Sequence, residues 1–340
     1  MGRKNKSYSK DLHQQAYDRL TSMQAFGESK KDAMKDGTAK NKIFSFSTYE
    51  SYWKHIKYFL GYVRKNYPEC STLKSAKKHV NEWLQLREEQ GLSAWTVQLE
   101  AKALGKLYGI SPEDEDYFKP PKRQRQDISR SRGERVRDSH FSKTNNDELI
   151  RFCQGTGLRR RELERLKGED LLTRGQIEAE ISRIEGLPAG VRTPEQELHL
   201  EALKDTRLFD GDHFIYVRSG KGGRERMSPI IGKDIGMIVE RIQNTPADEK
   251  VWQFVHKSAD IHSYRADYAT AIYKTNARPI EEIPYDRVNR GTGHLQQSGV
   301  YVCRKDEAGR KLDKAAMLIC SKALGHNRIN VVADNYIRAL

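Results

Sequence analysis

Arg159 in TGLRRREL, Lys221 in SGKGGRER, His262 and Arg265 in HSYR, His326 in LGHNR and Tyr336 ten residues later make a dispersed polar set that can hold a phosphate and attack it. A phosphodiester is anionic and repels nucleophiles. Cutting it without a metal therefore demands fixed positive charge on the nonbridging oxygens as the pentavalent transition state forms. Arg159 and Arg265 suit that role, because guanidinium groups stay charged and bond bidentately to phosphate oxygens. A tyrosine phenol is mostly protonated near neutral pH, so Tyr336 as nucleophile needs a base or a strongly cationic pocket. Lys221, set among glycines, can reach a leaving oxygen as general acid, with Arg224 as a second candidate. Glu162, three residues past Arg159, can orient an arginine or a histidine. No acidic cluster with metal-ligand spacing stands out, and the cations make Mg²⁺ unnecessary, so no metal and no cofactor are expected. Each residue also has a bland reading. Arg159 is one of three adjacent arginines that could line a solvated helix face, a lone histidine is more often structural, and a random one of the 16 tyrosines packs rather than reacts.

The order of these motifs resembles the tyrosine recombinase (phage integrase) family, whose signature is an Arg, a hairpin Lys, a His-x-x-Arg pair, a Leu-Gly-His and a late Tyr nucleophile. Thr-Gly-Leu-Arg or Leu-Gly-His alone occurs by chance; four motifs in the family's order do not readily do so. Glu162-Leu163 and Tyr268-Ala269-Thr270 also match the family's flanking residues, and the resemblance covers most of residues 45–340. The chain departs from the pattern in two places: the interval from His326 to Tyr336 is one residue longer, and Ala266 stands where many members have a second His.

The resemblance implies a site-specific DNA recombinase that integrates and excises a mobile element through a 3′-phosphotyrosyl intermediate and a Holliday junction. Arg159, Lys221, His262, Arg265, His326 and Tyr336 would be catalytic, Tyr336 as nucleophile, with Glu162 in support. His262 and His326 would hydrogen-bond the phosphate and help proton transfer. Religation would need no ATP, because the phosphotyrosyl bond retains the energy of the broken backbone bond. The implied partners are double-stranded DNA, a homotetramer with a dimer on each site, and an accessory directionality or DNA-bending factor. With four residues after Tyr336, exchange of C-terminal segments between subunits would use a short tail or another element, or else the sequence is cut short. The rival readings are a noncatalytic DNA-binding regulator with the same fold and a type IB topoisomerase-like enzyme.

Composition points the same way without reaching as far. The 61 Lys and Arg against 47 Asp and Glu give a net charge of +14, which favours a polyanionic partner, although a merely soluble basic protein is the plain alternative. The cysteines at 70, 153, 303 and 320 have no C-x-x-C spacing and no clustering with His, which argues against structural zinc or a disulfide framework and fits a reducing compartment. The N-terminus lacks an apolar signal core and no run of about 18 apolar residues could span a bilayer, so the expected place is the cytoplasm, with no membrane partner; the resemblance implies a chain encoded by a bacterium, a phage or a mobile element.

These residues need a scaffold, and its fold class reads as mainly α with a small β-hairpin or sheet. The resemblance adds a two-domain C-shaped clamp on DNA, a helical core-binding domain plus a catalytic domain. Residues 1–44 form a polar, basic extension with one amphipathic helix in which Leu12, Tyr17 and Leu20 can share a face; a DNA-binding arm is one reading, and a loosely ordered tail is preferred because the segment holds too few apolar residues for a core of its own. Residues 45–118 read as a helical domain: Ser47 or Thr48 caps a helix through Tyr49, Tyr52, Ile56, Phe59, Leu60 and Val63, a second runs through Val80, Trp83, Leu84 and Leu86 to Gly91, and Ser93 caps a third through Val97, Leu104 and Leu107. Residues 119–139 form a basic linker with two prolines, where Lys122, Arg123, Arg125, Arg130 and Arg132 would neutralise phosphates without reading sequence; Arg224 would do the same from the hairpin. Residues 140–340 form the catalytic domain. A helix caps at Asn145 or Asn146, a second begins near Arg159, and strands at 214–218 and 226–230 make a hairpin around Lys221. Two stretches, 172–210 and 276–318, exceed compact family members and have no assigned chemistry. The first has helical periodicity, and the second a hairpin turning at Glu307 to Gly309 followed by a helix.

Overall fold

The computed structural model describes residues 11–124, 141–188, 190–220, 223–283, 299–304, 307–326 and 328–337. They fall into two compact units, Met1–Ile128 and Ser129–Leu340. The chain is mainly helical with small antiparallel sheets. Among the described residues no helix is long and apolar enough to cross a membrane.

The first unit consists of α1 (Leu12–Thr21), α2 (Lys30–Lys35), α3 (Phe46–Asn66), α4 (Leu73–Lys77), α5 (Val80–Glu89) and α6 (Ala94–Tyr108). The apolar residues of α3 recur every three or four positions, so Tyr49, Ile56, Phe59, Leu60 and Val63 are buried along one face. That face meets Ala101, Leu104 and Leu107 of α6 and Val80, Trp83 and Leu84 of α5. Helix α3 starts earlier than expected. Its cap is Ser45, whose Oγ accepts from the Thr48 amide and lies 2.8 Å from Thr48 Oγ1, so Thr48 serves the cap from inside the helix. The Ser93 cap of α6 is as expected, and Gly109 ends that helix.

From residue 11 on, the N-terminal segment is not the loose tail that was expected, and the amphipathic helix read through Leu12, Tyr17 and Leu20 is present. Asp11 caps α1, whose Ala16 and Leu20 are fully buried in the same core as α3 and α6. His13 and Tyr17 lie edge-on to Trp53. Lys106 of α6 donates to the carbonyls of Ala39, Lys40 and Lys42, with Ile43 buried just beyond. The segment has too few apolar side chains for a core of its own, but it only has to add two or three to a neighbouring one.

The second unit is built on a three-stranded antiparallel sheet, β1 (Leu171–Thr173), β2 (His213–Val217) and β3 (Arg226–Pro229), in that order. Register pairs Leu172 with Phe214, Ile215 with Ser228 and Val217 with Arg226. Because side chains alternate across a strand, β2 serves two cores. Phe214 meets the pair α9 (Arg174–Glu185) and α10 (Pro194–Lys204), which buries Ile177, Ile181, Ile184, Leu200 and Leu203. Ile215 and Val217 meet α7 (Asp147–Thr156), α8 (Arg160–Leu163) and α11 (Ile235–Gln243) through Phe152, Leu163 and Ile238. The long stretch after Leu172 is therefore a helical cover for one sheet face. Strand β1, three residues long, carried too little periodicity to be read from sequence.

A third core packs α12 (Ile261–Asn276) against the two-stranded sheet β4 (Val300–Val302) and β5 (Lys311–Asp313), with α13 (Lys314–Ala323) and α14 (Ile329–Asn335). Asp313 holds this corner together. Buried, it takes a two-pronged bond from Arg278, caps α13 through the Ala315 amide, and is held below the usual carboxylate range chiefly by Arg278.

Candidate functional site

Two glycines set the frame. Gly157 ends α7 at φ +61°, and a side chain there would collide with the buried ring of Tyr268, 2.3 Å from the added carbon. Gly325 ends α13 at φ +65°: its amide donates to the Lys322 carbonyl and that of His326 to Ser321, the Schellman arrangement. The Leu-Gly-His motif is thus a helix stop that turns His326 out of α13 into the site.

The chain leaves Gly157 in extended backbone, and Arg159 opens α8, its amide donating to Glu162 Oε2 at 2.8 Å and its guanidinium to Oε1 at 2.7 Å. Arg159 also donates to the Leu324 carbonyl at 3.2 Å. The neighbouring Arg160 points elsewhere and gathers the carbonyls of Val255, His256, Lys257 and Ala259, fixing the loop that leads into α12. Asp260 caps α12, and His262 and Arg265 follow three residues apart on one face.

Arg265 is 1% exposed and donates to the carbonyls of Gly157 and Leu324. Burial, followed by the charge of Arg226, pushes its guanidinium down to about 10, so it remains charged at neutral pH. Its Nε points at Tyr336 Oη at 3.4 Å, with the guanidinium carbon 5.4 Å from the centre of that ring. Tyr336, just past α14, is 5% exposed. His326 Nε2 lies 3.3 Å from its hydroxyl, and the His262 ring is 5.2 Å away between centroids. The longer interval after His326 does not displace the tyrosine: α14 and the turn around it carry its hydroxyl between Arg265 and His326.

Arg159, Glu162, His262, Arg265, His326 and Tyr336 thus converge. Lys221 lies outside the described residues, as do Arg125, Arg130 and Arg132. Arg224 is exposed, and its carbonyl accepts from the Gly220 amide. In the first unit Lys122 and Arg123 are exposed, with the Arg123 guanidinium 5.6 Å from the Trp95 ring centre. Among the described residues no group of three His, Cys, Asp or Glu is placed to hold a metal ion.

Arg226 is the residue that reading the sequence missed. It is 6% exposed and donates to both carboxylate oxygens of Glu162, at 3.0 and 2.8 Å. Burial by itself would raise the Glu162 pKa; the adjacent Arg226 outweighs it and holds the carboxyl far below its ordinary range. The available signal was strand alternation, which puts residues 226 and 228 on one face of β3; an arginine on an inward face needs a buried acid. Chemically, two guanidiniums and two imidazoles around a phenol can bind a tetrahedral anion and stabilise added negative charge as an oxygen attacks it.

No family model matches the chain, and no curated protein matches it. Among solved structures, the crystal structure of XerA recombinase is similar at 15% identity, covering 96% of this chain and 94% of that chain, with a TM-score of 0.25.

Proposed function

We propose that this chain is a DNA strand transferase of the tyrosine recombinase type, cutting and rejoining double-stranded DNA through a covalent phosphotyrosine. The observation that carries the reading is the Tyr336 hydroxyl held 3.3 Å from His326 Nε2 and 3.4 Å from Arg265 Nε, with Arg159 bonded to the same Leu324 carbonyl as Arg265. In this mechanism Arg159 and Arg265 grip the nonbridging oxygens of one phosphodiester, and His262 and His326 hydrogen-bond the same group. Tyr336 Oη bonds to phosphorus and passes its proton to His326 Nε2; the bond to the 5′-oxygen breaks, and Lys221 protonates that oxygen. The products are a 3′-phosphotyrosyl protein and a free 5′-hydroxyl, and reversal with a second 5′-hydroxyl rejoins the strands. The role on DNA is integration and excision of a mobile element by a homotetramer, a dimer on each site.

The test is covalent trapping on nicked suicide duplexes taken from the ends of the element that encodes the chain, without metal. Wild-type protein should yield a DNA-linked peptide at Tyr336, whereas Tyr336→Phe binds the duplex and yields none. An adduct formed undiminished by Tyr336→Phe removes the nucleophile, and binding without any adduct favours a DNA-binding regulator. Relaxation of supercoiled plasmid without strand exchange favours the topoisomerase-like alternative.

A further inference from the structure

Glu162 receives four hydrogen bonds: Oε1 from Arg159 and Arg226, Oε2 from the Arg159 amide and Arg226. A carboxylate offers about four acceptor positions, so none is left for a substrate. Arg226 is nearly sealed from solvent, and its third nitrogen, Nε, donates to the Ala323 carbonyl at 3.1 Å. Its stem lies under Gly325, where an added Cβ would stand 2.8 Å from Arg226 Cδ, and its guanidinium lies 3.4 Å from the corresponding point at Gly220. Arg226 therefore lies beside the start of the Gly-rich turn, bonds to the acid that holds Arg159, and bonds to the end of α13 that presents His326.

Charge gives this contact its meaning. Arg159, Arg226 and Arg265 surround the single carboxylate of Glu162, a group with two net positive charges, and removing Arg226 would leave one. We propose that Arg226 is a positioning residue of the candidate phosphate site: as the counter-ion of Glu162, it leaves the charge of Arg159 and Arg265 available to an incoming tetrahedral anion. This rests on the phosphoryl-transfer reading above. Arg226 touches no substrate and acts through Glu162 and Arg159.

The experiment measures orthovanadate binding to the full chain by broadening of the vanadium NMR resonance, so it does not depend on DNA cleavage. Arg226→Met should weaken binding by roughly 10- to 100-fold, the effect of one unit charge a few ångströms away in a medium of intermediate dielectric. Adding Glu162→Gln to Arg226→Met restores two net positive charges and should recover most of that loss. A role confined to holding the fold predicts the opposite, because the double variant lacks more native hydrogen bonds. Arg226→Lys keeps the charge without the planar fork and should bind more tightly than Arg226→Met. Circular dichroism checks each variant; if Arg226→Met does not fold, the double variant and Arg226→Lys carry the comparison with wild type. Arg226→Met binding as tightly as wild type, a double variant weaker than the single, or no vanadate binding by wild-type protein would each overturn the inference. If vanadate follows the expected order while suicide duplexes give no Tyr336 adduct, strand transfer fails and the role of Arg226 stands.

Discussion

Glu162 is the acidic side chain whose protonation would disturb the site most, since the charges of Arg226, Arg159 and Arg265 all bear on it. Its pKa in the folded chain lies below the unfolded value. The stabilisation it provides is therefore present above the usual carboxylate pKa and disappears as pH falls through the folded one. The expected outcome is that wild type exceeds Glu162→Gln in unfolding free energy at about pH 6, and that the gap narrows between about pH 4 and pH 2. Denaturant unfolding at several pH values checks this, and a gap constant with pH would mean that Glu162 does not act through its charge. The residues of the candidate site could be picked out one by one because the chemistry they would serve restricts the side-chain type. Arg159 was distinguished from Arg160 and Arg161 by the Thr-Gly-Leu before it and the Glu162-Leu163 after it, not by composition. The partnership of Arg226 with Glu162 was not legible, because the two are 64 residues apart and meet only when β3 docks beside α8.

Helices were readable where an apolar face repeated over several turns, as in α3 and α6, and less so where an element leans on its neighbours. Helix α1 offers Ala16 and Leu20 to a core made mainly by α3, α5 and α6, so its own pattern is thin. A buried leucine truncated to alanine usually costs about 2–5 kcal/mol, and Leu20→Ala should destabilise the first unit by an amount in that range, measured by denaturant unfolding. A change below about 0.5 kcal/mol, as at exposed sites, would return α1 to the status of a tail. In the second unit α10 is tied to the sheet as well as covering it. His199 Nδ1 lies 2.9 Å from Glu225 Oε2, and the Tyr216 hydroxyl donates to the same oxygen at 2.5 Å. Periodicity disclosed these inserted helices, but it could not disclose that they brace the strands flanking the Gly-rich turn.

The two units have separate cores, and the cysteines report on them separately: Cys70 belongs to the first, Cys153, Cys303 and Cys320 to the second, all buried as free thiols. Burial pushes the thiols of Cys153 and Cys320 up to about 12, so little thiolate is present near neutral pH. In native buffer these two should resist alkylation, and in rising denaturant Cys70 should become reactive at a different concentration from Cys153. Peptide mapping by mass spectrometry measures both transitions. Coincident midpoints would mean that the units unfold as one, and rapid native labelling of Cys153 would contradict its burial. By itself the sequence determined the kinds of side chain available to the candidate site and the helical character of the chain, because side-chain chemistry, helix caps and amphipathic faces are local properties of residue type and spacing. It also marked Gly157 and Gly325 within their motifs. Only the tertiary structure decided which cations stand around which acid, that the N-terminal segment joins a core, and that Tyr336 reaches Arg265 and His326 despite the longer interval. Those outcomes depend on distances between groups remote in sequence, which close only when separate elements bury their apolar faces together.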